Sequence, residues 1–161
     1  MAAVRRATGE DAPFLRQVLA IAADWRPDAQ VRAIADVMAD PALGHYVAGW
    51  PASGDVGFVV DDDGPVGAAW WRFFTEQDPG FGFVNAATPE ISIGVTPDCR
   101  RRGFGTALLE GLVDEARQLT IPALSLSVEA DNPARSLYQR LGFVILDCSV
   151  GSLTMILKLT D

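Results

Sequence analysis

The sequence predicts a mixed α/β fold built on one central sheet. Two observations support this prediction: alternating apolar and polar residues indicate short strands, and apolar residues at helical spacing indicate helices between them. The predicted order is a strand, two helices, three or four strands, a helix, a strand, a helix and two strands. Because 161 residues fit one domain, residues 1–161 are predicted to form a single domain.

In the first half of the chain, the elements follow from capping residues and apolar spacing. Thr8 is the predicted N-cap of the first helix, with Asp11 in the capping-box position. The second helix is expected to bury an apolar face that includes Val31 and Ile34, and to stop at Pro41. The predicted bounds are a strand over 3–7, a first helix after Thr8, a second helix over 28–40, and hairpin strands over 55–60 and 65–74.

The hairpin turn and the loop after the hairpin are rich in turn-forming residues. Asp61, Asp62 and Asp63 precede Gly64, and we interpret them as a solvated turn, because the other ligands of an EF-hand calcium loop are absent. The segment 76–89 is predicted to be a loop, with a short strand over 81–84.

The second half of the chain contains the clearest periodicity. The strand over 90–96 alternates and ends before Pro97, and the helix over 105–119 is strongly amphipathic. Pro133 suits the first turn of a short helix that runs to Leu141, and Gly142 suits its end. The remaining predicted strands cover 123–128, 143–148 and 153–159, with Cys148 expected in the core.

Composition excludes several classes of protein. The net charge of −8 disfavours non-specific binding to nucleic acid or to anionic membranes. Two cysteines and one histidine are too few for a disulfide framework or a Cys/His zinc site, so no metal is expected. No apolar run suits a signal peptide or a membrane span, and the expected location is the cytoplasm.

The segment 91–106 runs from a strand through a basic, glycine-containing loop into a helix. Unsatisfied amides at a helix start suit a phosphate, and Gly103 and Gly105 remove side chains that would keep an anion away. A Walker A loop is rejected because this segment contains no lysine. A dinucleotide fingerprint is rejected because Leu108 stands where its third glycine belongs. From the loop alone, a tight structural turn with solvated arginines remains an alternative.

Two motifs give the chain a resemblance to a known family. The pattern Arg100-x-x-Gly103-x-Gly105 resembles the acetyl-CoA pyrophosphate loop of the GCN5-related N-acetyltransferases (GNAT). The segment 132–143, Asn-Pro-Ala-Arg-Ser-Leu-Tyr-Gln-Arg-Leu-Gly-Phe, resembles the second signature of that family, one helix and one strand later. The resemblance implies a mixed, mostly antiparallel sheet of about six or seven strands flanked by about four helices.

The resemblance also implies a site for acetyl-CoA as the acetyl donor. Val95 would pair through its backbone with the pantetheine arm, in a cleft where its strand splays from the strand of Leu126. The amides of the loop would hold the pyrophosphate, while Asn132 would bond the pantetheine. The implied cofactor-binding residues are Val95, Arg100, Arg101, Arg102, Gly103, Phe104, Gly105, Thr106 and Asn132.

Attack of an amine on a thioester needs a base, an oxyanion donor and a proton donor for the leaving thiolate. Glu90 is the candidate base, with a solvated strand-start carboxylate as the alternative interpretation. Tyr138 is the candidate proton donor, with a core tyrosine as the alternative, and Asn132 is also read as a helix N-cap.

The resemblance makes Trp25 a candidate acceptor-binding residue, because its loop covers the acceptor site in the family. Trp70 and Trp71 face opposite sides of their strand, so one is expected in the core, and Trp71 is a candidate to line the acceptor pocket with Phe73 on the same face.

The predicted function is therefore acetyl-CoA-dependent N-acetylation of an amine, by direct transfer in a ternary complex. A non-catalytic acyl-CoA-binding sensor or partner module is the alternative. A small-molecule amine, a peptide N-terminus and a protein lysine all remain open as acceptors, and so does a longer acyl group. Family members are often dimers, so the resemblance leaves a homodimer open.

Overall fold

The structure is a computed structural model that describes residues 2–160. Within that range it contains seven strands and five α-helices. In chain order they are β1 (Ala3–Arg6), α1 (Ala12–Ala23), α2 (Ile34–Ala39), α3 (Pro41–Gly44), β2 (Val56–Asp61), β3 (Pro65–Arg72), β4 (Glu90–Val95), α4 (Phe104–Gln118), β5 (Ala123–Glu129), α5 (Ala134–Arg140), β6 (Val144–Ser149) and β7 (Ser152–Lys158).

The strands follow the order β1-β2-β3-β4-β5-β7-β6 in one sheet. The pairs β1–β2, β2–β3, β5–β7 and β6–β7 are antiparallel. Strands β4 and β5 are parallel, in register at Glu90 and Ser125. The predicted mixed α/β fold with a mostly antiparallel sheet is confirmed.

The chain divides into two compact units. The first unit extends to Arg72 and includes Ser92–Leu112; the second comprises Phe73–Ile91 and the chain from Val113 onward. The prediction of one domain over residues 1–161 stays a prediction.

The capping box expected at Thr8 is present. The Thr8 side chain accepts a hydrogen bond from the Glu10 amide at 3.3 Å, and Asp11 accepts one from the Thr8 amide at 2.7 Å. These bonds open a 3-10 turn that leads into α1. Arg5 donates two hydrogen bonds to the Asp11 carboxylate, and they hold its pKa below the usual value.

The second helix is shorter than predicted. Residues 28–33 are not helical, and α2 begins at Ile34. Asp24 explains the difference, because its carboxylate accepts hydrogen bonds from the backbone amide and the guanidinium of Arg32 and holds this segment as a loop. The predicted apolar face is also wrong: Val31 and Ile34 are exposed, and Val37 is buried.

Two smaller expectations are also wrong. The segment 81–84 forms turns rather than a strand. Cys148 is exposed because all of β6 is exposed, as the edge strand that pairs only with β7.

Candidate active site

The glycine loop lies in the first unit, between the end of β4 and the start of α4. Its backbone is left-handed at Arg101 (φ 64°) and at Gly103 (φ 83°). A Cβ built on Gly103 would meet nothing within 4 Å, so this glycine serves the backbone conformation and borders open space.

The start of α4 presents unsatisfied amides. The Ala107 amide donates to the Gly103 carbonyl at 3.1 Å, which closes the first turn. The amides of residues 104–106 precede that bond and, as at any helix start, have no partner within the helix. Together with the positive end of the helix dipole, they form an arrangement suited to an anion such as a pyrophosphate.

The three loop arginines have different surroundings. Arg100 donates from Nε to the Val95 carbonyl at 3.2 Å. Arg102 pairs with Asp62 at 2.9 Å and lies over the ring of Phe104, 4.8 Å from its centroid. Arg101 is exposed, and no side-chain partner of it occurs within residues 2–160.

The backbone of Val95 points away from β3. The Thr96 amide donates to the Val66 carbonyl of β3 at 2.8 Å. Because successive residues of a strand direct their amides to opposite edges, the Val95 amide and carbonyl lie on the other edge of β4. The Val95 amide is thus directed to the edge on which an added, strand-like ligand would pair. The predicted splay of this strand from the strand of Leu126 stays a prediction.

Glu90 lies in the second unit and is buried, with 3% of its surface exposed. The alternative interpretation as a solvated carboxylate is therefore wrong. Its register partner Ser125 is fully buried, and in-register residues of neighbouring strands project from the same face of a sheet.

Ser125 attaches both ends of the segment 82–89 to β5. Its hydroxyl donates to the Gly82 carbonyl at 2.7 Å, and its amide donates to the Pro89 carbonyl at 3.0 Å. A Cβ on Gly82 would lie only 2.6 Å from the backbone carbon of Leu126, so the segment packs against β5 with bare backbone. Since the Ser125 hydroxyl projects from the same face as Glu90, Gly82 lies on that face as well.

The position of Tyr138 follows from the way α5 ends. Gly142 is left-handed at φ 104° and donates to the Gln139 carbonyl at 3.1 Å, while Phe143 donates to the Tyr138 carbonyl at 3.0 Å. These two bonds are a Schellman motif, as predicted for Gly142. The motif places the Phe143 ring edge-on to the Tyr138 ring, with centroids 6.1 Å apart.

Burial also sets the ionisation of Tyr138. The residue is 7% exposed, and desolvation raises the pKa of its phenol well above the ordinary value. The hydroxyl is protonated at neutral pH, as an ordinary phenol also is, and can donate a hydrogen bond.

Asn132 combines a backbone role with free donor capacity. Its Oδ1 accepts a hydrogen bond from the Ala134 amide at 2.9 Å, at the start of α5. This bond uses the acceptor atom and leaves the Nδ2 donors for a ligand.

The candidate acceptor residues differ in exposure. Trp25 has Arg26 over its ring at 4.7 Å, and its Nε1 is buried without a hydrogen-bond partner among residues 2–160. Phe73 is 37% exposed. Trp71 has no exposed surface, and its Nε1 donates to the Gly54 carbonyl at 2.9 Å, so its side chain packs in the core.

The candidate residues thus form two groups, one in each unit. The first unit holds Trp25, Trp71, Val95 and the loop 100–106, and the second holds Glu90, Asn132, Tyr138 and Phe73. Ser125, Gly82 and Asp62 were not singled out from sequence. Only a serine within the otherwise apolar run Ala-Leu-Ser-Leu indicated that β5 has a polar contact to make.

Residues 2–160 contain no group of three or more His, Cys, Asp or Glu residues arranged to hold a metal ion. No helix in the same range has the length and apolar character required to cross a membrane.

Comparison with known proteins gives one family and several relatives. The model of the acetyltransferase (GNAT) family matches residues 18–143. A mycothiol acetyltransferase from Arthrobacter sp. (strain FB24) is 36% identical over 95 residues, which are 58% of this chain and 29% of that protein. The [ribosomal protein bS18]-alanine N-acetyltransferase of Escherichia coli (strain K12) is 47% identical over 54 residues, 33% of this chain and 36% of that protein.

The chain therefore covers about a third of the length of these curated relatives. Among solved structures, the PaiA N-acetyltransferase from Thermoplasma acidophilum, in complex with coenzyme A, superposes with a TM-score of 0.73. That match is 16% identical and covers 98% of this chain and 99% of the other, which establishes a shared fold.

Proposed function

The chain belongs to the GNAT family of acetyltransferases, and from that premise we propose that it is an acetyl-CoA-dependent N-acetyltransferase. In this proposal an amine attacks the thioester directly while both substrates are bound. The observation that carries the proposal is the left-handed loop at Arg101 and Gly103, which opens α4 with three unsatisfied amides.

The loop and the end of β4 take the cofactor. The amides of residues 101–106 hold the pyrophosphate, and the edge of β4 at Val95 pairs with the pantetheine arm. As the carbonyl carbon becomes tetrahedral, the Val95 amide donates to the oxyanion. The Arg100 bond to the Val95 carbonyl supports this arrangement, because it ties the loop to the same residue.

Glu90 is the proposed general base. It accepts the proton that the amine must lose, directly or through water. Its burial supports this role, since a carboxylate withdrawn from bulk solvent interacts more strongly with a bound cation.

Tyr138 is the proposed general acid. When the carbon–sulfur bond breaks, its hydroxyl donates a proton to the thiolate of coenzyme A. The role requires a phenol that is protonated at neutral pH, and Tyr138 meets that requirement. Asn132 bonds the pantetheine through Nδ2.

The acceptor is an amine, bound with contacts from Trp25 and Phe73. Trp71 packs in the core and is not proposed as an acceptor contact. One relative is named for mycothiol and another for an alanine of ribosomal protein bS18, so a small-molecule amine and a peptide amine are both retained. The free cysteines Cys99 and Cys148 suit a reducing compartment, and we place the reaction in the cytoplasm. A homodimer stays a prediction.

Thiol release from acetyl-CoA tests the catalytic part of this proposal. The amines are spermidine, a peptide with a free N-terminal alanine, and an N-terminally blocked peptide with one lysine. Release should exceed the amine-free rate with at least one of them. Glu90→Gln should lower the amine-dependent rate about a hundredfold, while the exposed control Glu110→Gln keeps it.

Two other results would change the assignment. A full amine-dependent rate in Glu90→Gln would exclude Glu90 as the base. Acetyl-CoA binding without any amine-dependent release across the panel would favour a non-catalytic acyl-CoA-binding protein.

A further inference from the structure

A single ion pair connects the β2–β3 turn to the start of α4. Arg102 Nη2 lies 2.9 Å from Asp62 Oδ2, and the same guanidinium lies over the ring of Phe104, the first residue of α4. Asp62 is 40 residues away in sequence, and all three residues belong to the first unit. The contact therefore fixes the loop from outside the loop itself.

The neighbouring arginines make different contacts. Arg100 is bonded to the Val95 carbonyl, and Arg101 has no side-chain partner within residues 2–160. Three consecutive arginines that sequence alone treats as one basic cluster thus have three different surroundings. Arg101 is the one arginine of the three whose whole guanidinium is uncommitted within residues 2–160, because Arg100 already uses Nε and Arg102 already uses Nη2.

Arg102 also compensates the negative charge of Asp62. An uncompensated carboxylate beside a helix start that binds an anion would repel that anion. Arg102 neutralises the charge of Asp62. Its guanidinium also packs over the ring of Phe104, whose amide is the first of the unsatisfied amides at the start of α4.

We propose that Asp62 is a positioning residue of the cofactor loop, and that the side chain of Arg102 acts through Asp62 and Phe104 rather than by contacting the cofactor. Arg101 supplies the side-chain charge that meets the phosphates. This inference rests on the proposed function, because it takes coenzyme A as the ligand of the loop.

A double-mutant cycle on coenzyme A binding tests this inference. Dissociation constants are measured by calorimetry for the wild type, Arg102→Gln, Asp62→Asn and the double variant. Arg102→Gln should weaken binding about fivefold in the wild type and less than about twofold in the Asp62→Asn background, because the carboxylate that Arg102 compensates is then gone.

Asp63 and Arg101 provide matched controls. Asp63→Asn removes the same charge from the same turn, and asparagine tolerates the left-handed backbone found there (φ 59°). In this background Arg102→Gln should keep its full effect. Arg101→Gln should weaken coenzyme A binding by the same factor in the wild type and in the Asp62→Asn background.

The outcomes separate this inference from the proposed function. Equal losses from Arg102→Gln in the Asp62→Asn and Asp63→Asn backgrounds would identify Arg102 as a direct ligand and overturn the inference alone. A folded wild type that does not bind coenzyme A would overturn both. Thermal midpoints show whether each variant is folded. If Arg102→Gln unfolds, Arg102→Met replaces it in the same cycle, because it also removes the charge and can still pack against Phe104.

Discussion

The side chain of Tyr138 is positioned by the residues that end its own helix. Gly142 takes the left-handed conformation that closes the Schellman motif, and the motif brings Phe143 against the Tyr138 ring. This arrangement is local, so a glycine in the right place was enough to predict the helix end from sequence.

Removing the hydroxyl of Tyr138 tests its proposed role as the acid. In Tyr138→Phe the ring contact with Phe143 is kept, and only the proton donor is lost. We expect kcat to fall by about tenfold or more, while the dissociation constant for acetyl-CoA changes by less than about threefold. Thiol-release kinetics and calorimetry measure the two quantities. Parallel losses in both would assign Tyr138 to packing instead.

Other residues could not be assigned from sequence because their surroundings come from distant parts of the chain. Glu90 was a candidate base, but the sequence did not show that it is buried or that its register partner Ser125 holds the Gly82 carbonyl. Asp62 was one of three aspartates in a turn, and nothing in the sequence indicated which of them would meet Arg102.

At the scale of the elements, the segment 82–89 is held in place by a close approach of its backbone at Gly82 to the backbone of β5. Its contact with β5 leaves no space for a side chain at Gly82. Periodicity suggested a short strand here, but the segment has no strand partner and is held by Ser125 instead.

Gly82→Ala measures how closely this segment is packed. The new methyl group would lie 2.6 Å from the Leu126 backbone carbon, so the segment must shift. We expect a loss of about 1–3 kcal/mol of stability, and at about 2–4 °C per kcal/mol a clear fall in Tm. Thermal unfolding followed by circular dichroism measures it.

Gly111→Ala is the control for that substitution. A Cβ at Gly111 would meet the Phe58 ring at 3.5 Å, an ordinary contact, and alanine favours the interior of α4. Its Tm should stay the same or rise. An unchanged Tm in Gly82→Ala would show that the segment is loosely held.

The second helix shows the opposite case, in which spacing predicted too much structure. Apolar residues recur at helical spacing over 28–40, yet Asp24 binds Arg32 and keeps the first half of that range in a loop. A contact between side chain and backbone across eight residues outweighed a weak helical pattern.

At the scale of the whole molecule, the order of the elements and two motifs were enough to predict the fold. The strand–loop–helix unit around Gly103 and the short helix that ends at Gly142 are both local, and the structure contains both. The arrangement of the acceptor region was less predictable, because Trp71 is covered on a strand whose two faces are both buried.

Titration of the purified protein with acetyl-CoA tests the central claim most directly. ATP and NADH serve as comparison ligands. Gly103→Asp is the matched variant, because a side chain at Gly103 meets no protein atom within 4 Å and aspartate is among the residues that adopt the left-handed backbone found there (φ 83°). We predict saturable binding of acetyl-CoA alone, and loss of that binding in a folded Gly103→Asp protein, since its carboxylate occupies the place of the pyrophosphate. No binding by the folded wild type, or unchanged affinity in Gly103→Asp, would contradict the account.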